Sequence, residues 1–254
     1  MVALGMRKLL LVVVVLLVVV AGAVAVADLV FVRKSVERHA VAAGALRAIA
    51  VTSSSGDIEL APAGARVEVR ETQHYVLTKP KLQQTVAGGV LMLSSDCATP
   101  ILTCYADLRV TVPSGVAVTA HTDSGDVDAT AIAARDARLR SNSGDVRLEL
   151  VGSQQGASAQ TGSGDVAVSA EGASAIEARS DSGDVTVDTA TPPHRVVART
   201  SSGDVTITVP PGEYAVDAKT DSGHVKVDGI TLNDRAPNSI EARTDSGDVT
   251  VRAG

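Results

Sequence analysis

The tetrapeptide Ser-Gly-Asp-Val recurs along this 254-residue chain and constrains its fold more than any other feature. From Gly125 onward, the glycine of each copy follows the previous one by 19 or 20 residues, until a last step of 24. A fixed period near twenty is typical of repeat architectures. With the variants Ser55–Ile58 and Ser222–Val225, the repeat predicts structural corners at Gly56, Gly125, Gly144, Gly164, Gly183, Gly203, Gly223 and Gly247.

One unit, Ile240–Val251, shows what the repeat builds. Small or apolar residues alternate with polar ones before the glycine, and Val-x-Val follows it. Alternation with period two on both sides of a glycine predicts two short strands joined by a tight turn. Glycine supplies the positive φ of such a corner, and the neighbouring serine and aspartate can bond nearby backbone N–H groups.

Such a unit cannot bury its apolar face alone, so we expect successive units to stack about 4.8 Å apart as a β-solenoid. An antiparallel meander of hairpins is the alternative, but it would put successive corners on opposite edges. An aromatic content of 2% favours the thin core of a solenoid. The long last step carries extra residues within 229–237, at the variable corner, where solenoids tolerate insertions.

Four segments precede or make up this architecture. Residues 1–32 are predicted to be a membrane anchor or signal segment, because the stretch 9–32 is almost wholly apolar. A retained transmembrane helix and a signal peptide cleaved near residues 23–27 both remain open. Residues 33–45 are predicted to be a basic, partly helical juxtamembrane linker. Residues 46–254 form the predicted solenoid, irregular over 46–115 and regular over 116–254.

The only two cysteines, Cys97 and Cys104, lie in the irregular part. They lack the spacing and histidine partners of a zinc or redox site, whereas an exported domain favours a disulfide. The bond would close a short loop, worth about 2.5 kcal/mol in the loop-entropy description.

The repeated aspartates would form one column along the stack, and like charges at that spacing repel. We expect turn N–H groups to hold them, although calcium, which prefers oxygen ligands, is an alternative. The candidate calcium ligands are Asp126, Asp145, Asp165, Asp184, Asp204 and Asp248. His224 interrupts this column, and we expect it to be a tolerated surface substitution. The alternative is that its protonation in mild acid relieves the repulsion between it and its neighbours in the column, Asp204 and Asp248.

The sequence contains no recognisable pattern of catalytic residues, so we expect a protein that is not an enzyme. We also expect it to need no cofactor, with calcium as the one alternative already described. A serine that recurs in every unit is not a unique nucleophile, the five histidines share no metal-ligand spacing, and no phosphate-binding loop occurs. Residues 40–254 hold 18 Lys and Arg against 27 Asp and Glu, a net charge of −9. That charge and the lack of aromatics argue against nucleic acid as a partner.

The hydrophobic start, the cysteine pair, the strand entry Val112–Val116 and the Ser-Gly-Asp-Val repeats together resemble the bacterial putative-adhesin family of β-strand-repeat proteins of unknown function. The resemblance covers roughly residues 46–254. It implies a β-solenoid domain that is membrane-attached or exported, and it carries no catalytic motif.

On this basis we expect an extracytoplasmic domain tethered to the cell membrane by a single pass, or secreted if the first segment is cleaved. Its expected role is to present a rigid surface for adhesion or contact with an envelope protein or polymer. The alternatives are the ectodomain of an envelope-stress or regulatory system and, less favoured, a polysaccharide-active β-helix enzyme. The last coil has no obvious cap, so end-to-end self-association is a further expectation.

Overall fold

The computed structural model describes residues 32–42, 46–64, 66–97, 102–152 and 154–254, and every regular element in these ranges is a β-strand. The predicted anchor or signal segment lies outside the described residues, apart from Val32. The strands are β1 (Arg33–Ala42), β2 (Ala48–Ser53), β3 (Ile58–Pro62), β4 (Arg66–Tyr75), β5 (Lys81–Ala87), β6 (Val90–Asp96), β7 (Cys104–Val112), β8 (Ala117–Ser124), β9 (Val127–Ile132), β10 (Asp136–Ser143), β11 (Val146–Leu150), β12 (Gln154–Ser163), β13 (Val166–Ala170), β14 (Ala173–Ser182), β15 (Val185–Thr189), β16 (Arg195–Arg199), β17 (Val205–Val209), β18 (Glu213–Ser222), β19 (Val225–Asp228), β20 (Thr231–Leu232), β21 (Ser239–Ser246) and β22 (Val249–Ala253).

These strands form two sheets of eleven strands each. Sheet A has the order β1-β4-β7-β3-β9-β11-β13-β15-β17-β22-β19, and sheet B has the order β20-β18-β21-β16-β14-β12-β10-β8-β2-β6-β5. Each coil crosses from a strand of sheet B to a strand of sheet A, and neighbouring coils pair in parallel with the repeats in register. The all-β, solenoid-like architecture with long parallel sheets agrees with the prediction.

The core lies between the two sheets and is built from the alternating apolar positions of the repeat. The valine that follows each Ser-Gly-Asp is buried, as at Val127, Val146 and Val185. Small residues such as Ala159 and Ala178 face them from sheet B. One aromatic ring, Tyr214, is fully buried near the end of the stack, where its hydroxyl donates to the Pro210 carbonyl (2.9 Å).

The coils do not stack in chain order at the C-terminal end. The last coil in sequence, β21–β22, inserts between β16–β17 and β18–β19, so that β18–β19 ends the stack. The longer connection after β19 makes this possible, because it carries the chain back past one coil before β21 begins. The extra residues of the last repeat therefore change the order of the coils as well as lengthening a corner.

The N-terminal end departs from the solenoid in a different way. The coil β2–β3 inserts between β6–β7 and β8–β9, and β4, β1 and β5 then add antiparallel strands beyond β6–β7. The prediction of a partly helical spacer over residues 33–45 is wrong for Arg33–Ala42, which forms β1 and pairs with β4 along its whole length. Apolar and polar residues alternate only weakly in β1, where Val36 and Val41 are the large apolar residues. Its strand conformation therefore depends on hydrogen bonding to the edge of β4.

The predicted disulfide between Cys97 and Cys104 is confirmed, with Cα atoms 5.9 Å apart. It joins the end of β6 to the start of β7. In the other coils a Ser-Gly-Asp turn, or Ser-Gly-His in β18–β19, occupies this corner, so the covalent bond closes the one coil of the described stack that lacks a Ser-Gly turn.

Candidate functional site

The repeated Ser-Gly-Asp corners lie on one edge of the stack and form a continuous column. All eight predicted corner glycines have positive φ, between 107° and 152°. A Cβ atom on Gly144 would lie 2.2 Å from the Gly125 carbonyl oxygen of the adjacent coil. The repeat therefore needs glycine both for its backbone conformation and for the close approach of neighbouring coils, and the corner prediction is confirmed.

The corner aspartates hold the coils together through their carboxylates. The backbone N–H of Asp165 donates to Oδ1 of Asp145, and the backbone N–H of Asp145 donates to Oδ1 of Asp126, both at 2.8 Å. The same bond repeats along the column at 2.8–3.2 Å, in stack order from Asp107 through Asp57, Asp126, Asp145, Asp165, Asp184, Asp204 and Asp248 to His224. We call this series the aspartate ladder.

Backbone donors thus supply the partner that the like-charged carboxylates require. The described residues contain no group of three or more His, Cys, Asp or Glu side chains placed to hold a metal ion. The six candidate calcium ligands are brought into one column, as predicted, but each of them takes its hydrogen bond from the next coil. The arrangement favours the structural role of the aspartates over the calcium role.

A second ladder lies just inside the corner and was not predicted. Thr161 donates its hydroxyl to the Gly144 carbonyl (2.7 Å), and Ser141 does the same to Gly125 (2.8 Å). The equivalent donors are Thr122, Ser180, Thr200, Thr220 and Thr244. The signal was present in the sequence, because every unit has Ser or Thr three residues before its glycine.

His224 ends the aspartate ladder, so the expectation that it lies between Asp204 and Asp248 is wrong. Asp204 accepts directly from the Asp248 N–H, while His224 pairs with Asp248 alone among the aspartates of the ladder, through its backbone N–H (2.8 Å) and through Nδ1 (3.4 Å). These two hydrogen bonds hold the pKa of Asp248 below its ordinary value. No coil of the described stack follows β18–β19, so this corner needs no carboxylate.

The serine that precedes each corner glycine is exposed from Ser124 onward, so these serines lie on the outer side of the corner. Beside them runs a second exposed position that is acidic in several coils, at Asp123, Asp181, Asp221 and Asp245. The edge of the stack is thus a polar, mainly acidic surface.

The outer face of sheet B carries a column of cations next to this acidic edge. We call it the cationic column; its residues are aligned by the parallel register and are Arg140, Arg179, Arg199, Arg243 and Lys219. Gln160 occupies the corresponding position of β12.

Acidic side chains on the same face pair with the cationic column. Arg179 contacts Glu177 (2.6 Å), and Arg199 contacts Glu241. The hydrogen bond from Arg199 is the main reason that the pKa of Glu241 lies below its ordinary value.

The same pairing continues to the end of the stack, where Lys219 and Arg243 both contact Asp217 at 2.7 Å. Hydrogen bonds from Lys219 and then Arg243 lower the pKa of Asp217. Sequence reasoning missed this face, because the cations come from five separate repeats and only the register brings them together.

One ionisable group is buried near the N-terminal end of the core. Glu71 on β4 is fully buried, accepts a hydrogen bond from Gln73 Nε2 (2.9 Å), and lies 3.5 Å from the Ser95 hydroxyl. Burial raises its pKa, and the nearby charge of Glu37 adds to this effect. The carboxyl lies between the sheets, not in an open cleft, which gives it no access to a substrate.

Within the described ranges, no helix is long and apolar enough to cross a membrane. The predicted tether therefore rests on the sequence of residues 9–32.

The solved structures to which this chain is similar share little of its sequence. No curated protein matches the chain. Among solved structures, the chain is similar to a putative cell adhesion protein from Clostridium sporogenes, with 12% identity, a TM-score of 0.46, and coverage of 87% of this chain and 100% of that one. It is also similar to a putative adhesin from Parabacteroides merdae (12% identity, TM-score 0.47, coverage 87% and 96%) and to one from Bacteroides fragilis (16%, 0.41, coverage 87% and 98%).

The Toastrack DUF4097 family profile matches residues 40–252, which is most of the chain and includes the end of β1. This match spans the coils from β2 through Arg252 in β22, and it includes the added strands β4 and β5. The chain belongs to the Toastrack DUF4097 family.

Proposed function

We propose that this protein is a non-enzymatic, membrane-tethered extracytoplasmic module that presents a rigid, charge-patterned surface for adhesion or contact with the cell envelope. The observation that carries the proposal is the outer face of sheet B, where the cationic column and its acidic partners repeat at the spacing of the coils, about 4.8 Å. Such a face suits a partner that is itself repetitive or extended.

Rigidity supports this role because it fixes the spacing of the charges. Each coil is tied to the next by the strand ladder, by the aspartate ladder and by the inner hydroxyl ladder. The buried valines add side-chain packing in the same direction. Since the surface is already ordered, binding costs little conformational entropy beyond the side chains of the face.

The charges of this face remain accessible. Half-exposed side chains such as Arg179 (44%) and Arg243 (45%) make only surface ion pairs, which contribute little to stability. They can therefore exchange their intramolecular partners for those of a ligand at low cost. A face that contributed only to folding would not need five aligned cations.

Two features support the extracytoplasmic placement. The apolar stretch 9–32 is long enough to span a bilayer, and β1 begins at Arg33 directly after it. The Cys97–Cys104 disulfide is of a kind that persists in oxidising compartments. Together they support a stack attached to the membrane at its N-terminal end.

The test is adhesion by cells that display the full-length chain, measured on immobilised envelope polymer and on cells of the same kind. We expect the double variant R179Q/R199Q to lose most of the adhesion, because it removes two neighbouring cations without changing the strands. Arg147→Gln, on the outer face of sheet A, is the matched control and should retain it.

Adhesion that is unchanged in R179Q/R199Q would overturn the role of the sheet B face. Recovery of a membrane kinase or anti-sigma factor with the wild-type chain from detergent extracts, without adhesion, would favour the regulatory ectodomain instead.

A further inference from the structure

The C-terminal end of the stack exposes positions that are buried in the interior coils. Val225 on β19 is 44% exposed, whereas Val205 and Val249, which occupy the same position in the two preceding coils, are fully buried. Val227, Val216 and Ala218 are only partly buried against the core. The end coil thus presents a strip of core-type side chains.

Both strands of this coil also have an open edge. β18 pairs with β21 on one side, but β20 covers only Glu213 and Tyr214 on the other. The stretch from Ala215 to Asp221 has no strand partner on its outer side within the described residues, and neither does β19. Unpaired backbone groups on an edge strand can pair with another chain.

The charges on each of these two edge strands are complementary to those on a second copy of the same strand. β18 carries Asp217 and Lys219 on its outer face, one on each side of Ala218. β19 carries Lys226 and Asp228, one on each side of Val227. If each strand paired antiparallel with its own copy, every one of these charges would face an opposite charge, which is the favourable cross-strand arrangement.

The two self-pairings are compatible with one twofold axis. The open stretch of β18, residues 215–221, is centred on Ala218. Ala218 lies five residues before Gly223 and Val227 lies four residues after it, so the two occupy facing positions of the same coil. A single axis perpendicular to both sheets can therefore pass midway between each of these two strands and its copy.

We propose that two copies of this chain associate end to end through β18 and β19, antiparallel about this axis. The pairing would cover the exposed valines, continue both sheets into the second copy and match Lys226 with Asp228. This inference deepens the proposed adhesion function by naming a second copy of the chain as the partner. It rests on that function in one respect: the two copies would join opposing membranes only if each chain is tethered to its own membrane.

His224 argues for a closed pair over a filament. A further coil stacked in parallel would need a carboxylate at this corner to accept its N–H, as every other corner of the aspartate ladder provides. The end coil offers an imidazole that is 94% exposed. The isologous pairing requires no such acceptor, because it joins the strands and not the corners.

The first test is oxidative cross-linking of the full-length chain in detergent with single cysteines. The sequence has only the two disulfide-bonded cysteines, so a new one supplies the sole free thiol. V227C and A218C should each form a covalent dimer, since the residues at the centre of each paired strand face their own copies across the axis, at about 4.5–5.5 Å between Cα atoms. K226C is the control, because it would lie about 8 Å from its copy, beyond disulfide range.

Absence of the V227C dimer, or equally strong cross-linking of K226C, would overturn the proposal. Dimers formed only by V86C, on β5 at the opposite end, would also overturn it. The polymer-adhesion assay above depends on Arg179 and Arg199 and not on these positions, so failure of the pairing and failure of the proposed function can be told apart.

A charge exchange gives the second test, by light scattering on the same detergent-solubilised chain. Lys226→Asp places like charges opposite each other and should raise the dimer Kd by roughly fivefold or more. The double variant K226D/D228K restores opposite charges and should recover the parent Kd. If the double variant dimerises as poorly as the single one, the antiparallel register is wrong.

Discussion

At the scale of the residue, the repeat is defined by what each side chain does for the adjacent coil. The corner aspartate is the best example, because a column of carboxylates would repel itself if nothing neutralised it. The backbone N–H of the next coil does so at every step of the aspartate ladder. The oxygen, more than the charge, is therefore the feature that the corner requires.

Substitution of Asp145 tests this requirement. Asp145→Asn keeps a side-chain oxygen for the Asp165 N–H and should change the free energy of unfolding by less than about 0.5 kcal/mol, whereas Asp145→Ala should lower it by about 1 kcal/mol. Chemical denaturation measures both. Calcium should leave the melting temperature of all three proteins unchanged relative to chelator, and a rise of several degrees that Asp145→Asn abolishes would instead establish a metal ladder.

The corner glycine is restricted by space as well as by conformation. In Gly144→Ala the new Cβ would meet the Gly125 carbonyl oxygen at 2.2 Å, with φ at 138°. Backbone strain of roughly 1–3 kcal/mol and the displaced carbonyl should together lower stability by about 2–4 kcal/mol. Gly88→Ala is the control, because Gly88 has φ at 58° but no atom near its Cβ, and it should cost only about 1 kcal/mol. Equal losses would show that the contact between coils is unimportant.

Glu71 makes stability depend on pH. Its raised pKa means that the folded chain holds this proton more tightly than the unfolded chain, so the stability it contributes is present at acidic pH and is lost as pH rises from the ordinary glutamate value through the raised one. Glu71→Gln should therefore be more stable than the parent at pH 8, with a difference that shrinks toward pH 4.5. Denaturation at both pH values measures this. The exposed Glu68→Gln, on the same strand, should follow the parent, and a constant difference for Glu71→Gln would contradict the assignment.

At the scale of the element, the sequence predicts the coil but not the order of the coils. The period, the glycine corners and the disulfide follow from local chemistry that each residue carries with it. Every coil, however, presents nearly the same corner and the same valines to its neighbours, so nothing local tells β17 to pair with β22 and not with β19. The long step before Gly247 was the only sign, and it reads equally well as a simple insertion.

The same limit applies to the charged face and to β1. The cations of the cationic column are twenty or more residues apart in sequence, and they align only once the register is known. In β1, alternation is weak and the side chains are mostly exposed, so its strand conformation comes from pairing with β4 and not from burial. A long-range partner cannot be recognised from the strand's own ten residues.

Removal of β1 tests that pairing at the level of the element. In a fragment of residues 43–254, the N–H groups of β4 that donate to β1 carbonyls in the fragment 32–254 should lose their protection against exchange. The shorter fragment should also have a free energy of unfolding lower by about 1–3 kcal/mol than the fragment 32–254. Hydrogen exchange resolved by residue measures the first effect. Protection in β13 and β15, far along the stack, serves as the internal control and should not change. Equal protection of β4 in both fragments would show that β1 contributes no pairing.

At the scale of the whole molecule, the stack places β1, which follows the apolar segment, at one end and the open edges of β18 and β19 at the other. Eleven strands in each sheet give a stack about 50 Å long. β1 continues from the apolar segment at one end, while β18 and β19 form the other. If residues 9–32 hold the chain in a membrane, the self-complementary end is the part of the molecule that projects farthest from it, and pairing of two such ends joins two membranes rather than two neighbours.

Vesicles that carry the full-length chain test this arrangement. Pairing between copies on opposing bilayers should cluster the vesicles and hold the bilayers roughly 100 Å apart, twice the length of one stack, a distance that electron cryotomography can measure. Lys226→Asp should reduce clustering, and K226D/D228K should restore it, because only the second keeps opposite charges across the axis. Protein-bearing vesicles should not attach to bare ones. Attachment to bare vesicles would mean that the stack contacts lipid. Clustering at a spacing near 50 Å between bilayers would mean that the stacks overlap side by side. The adhesive surface would then be the sheet faces and not the end coil.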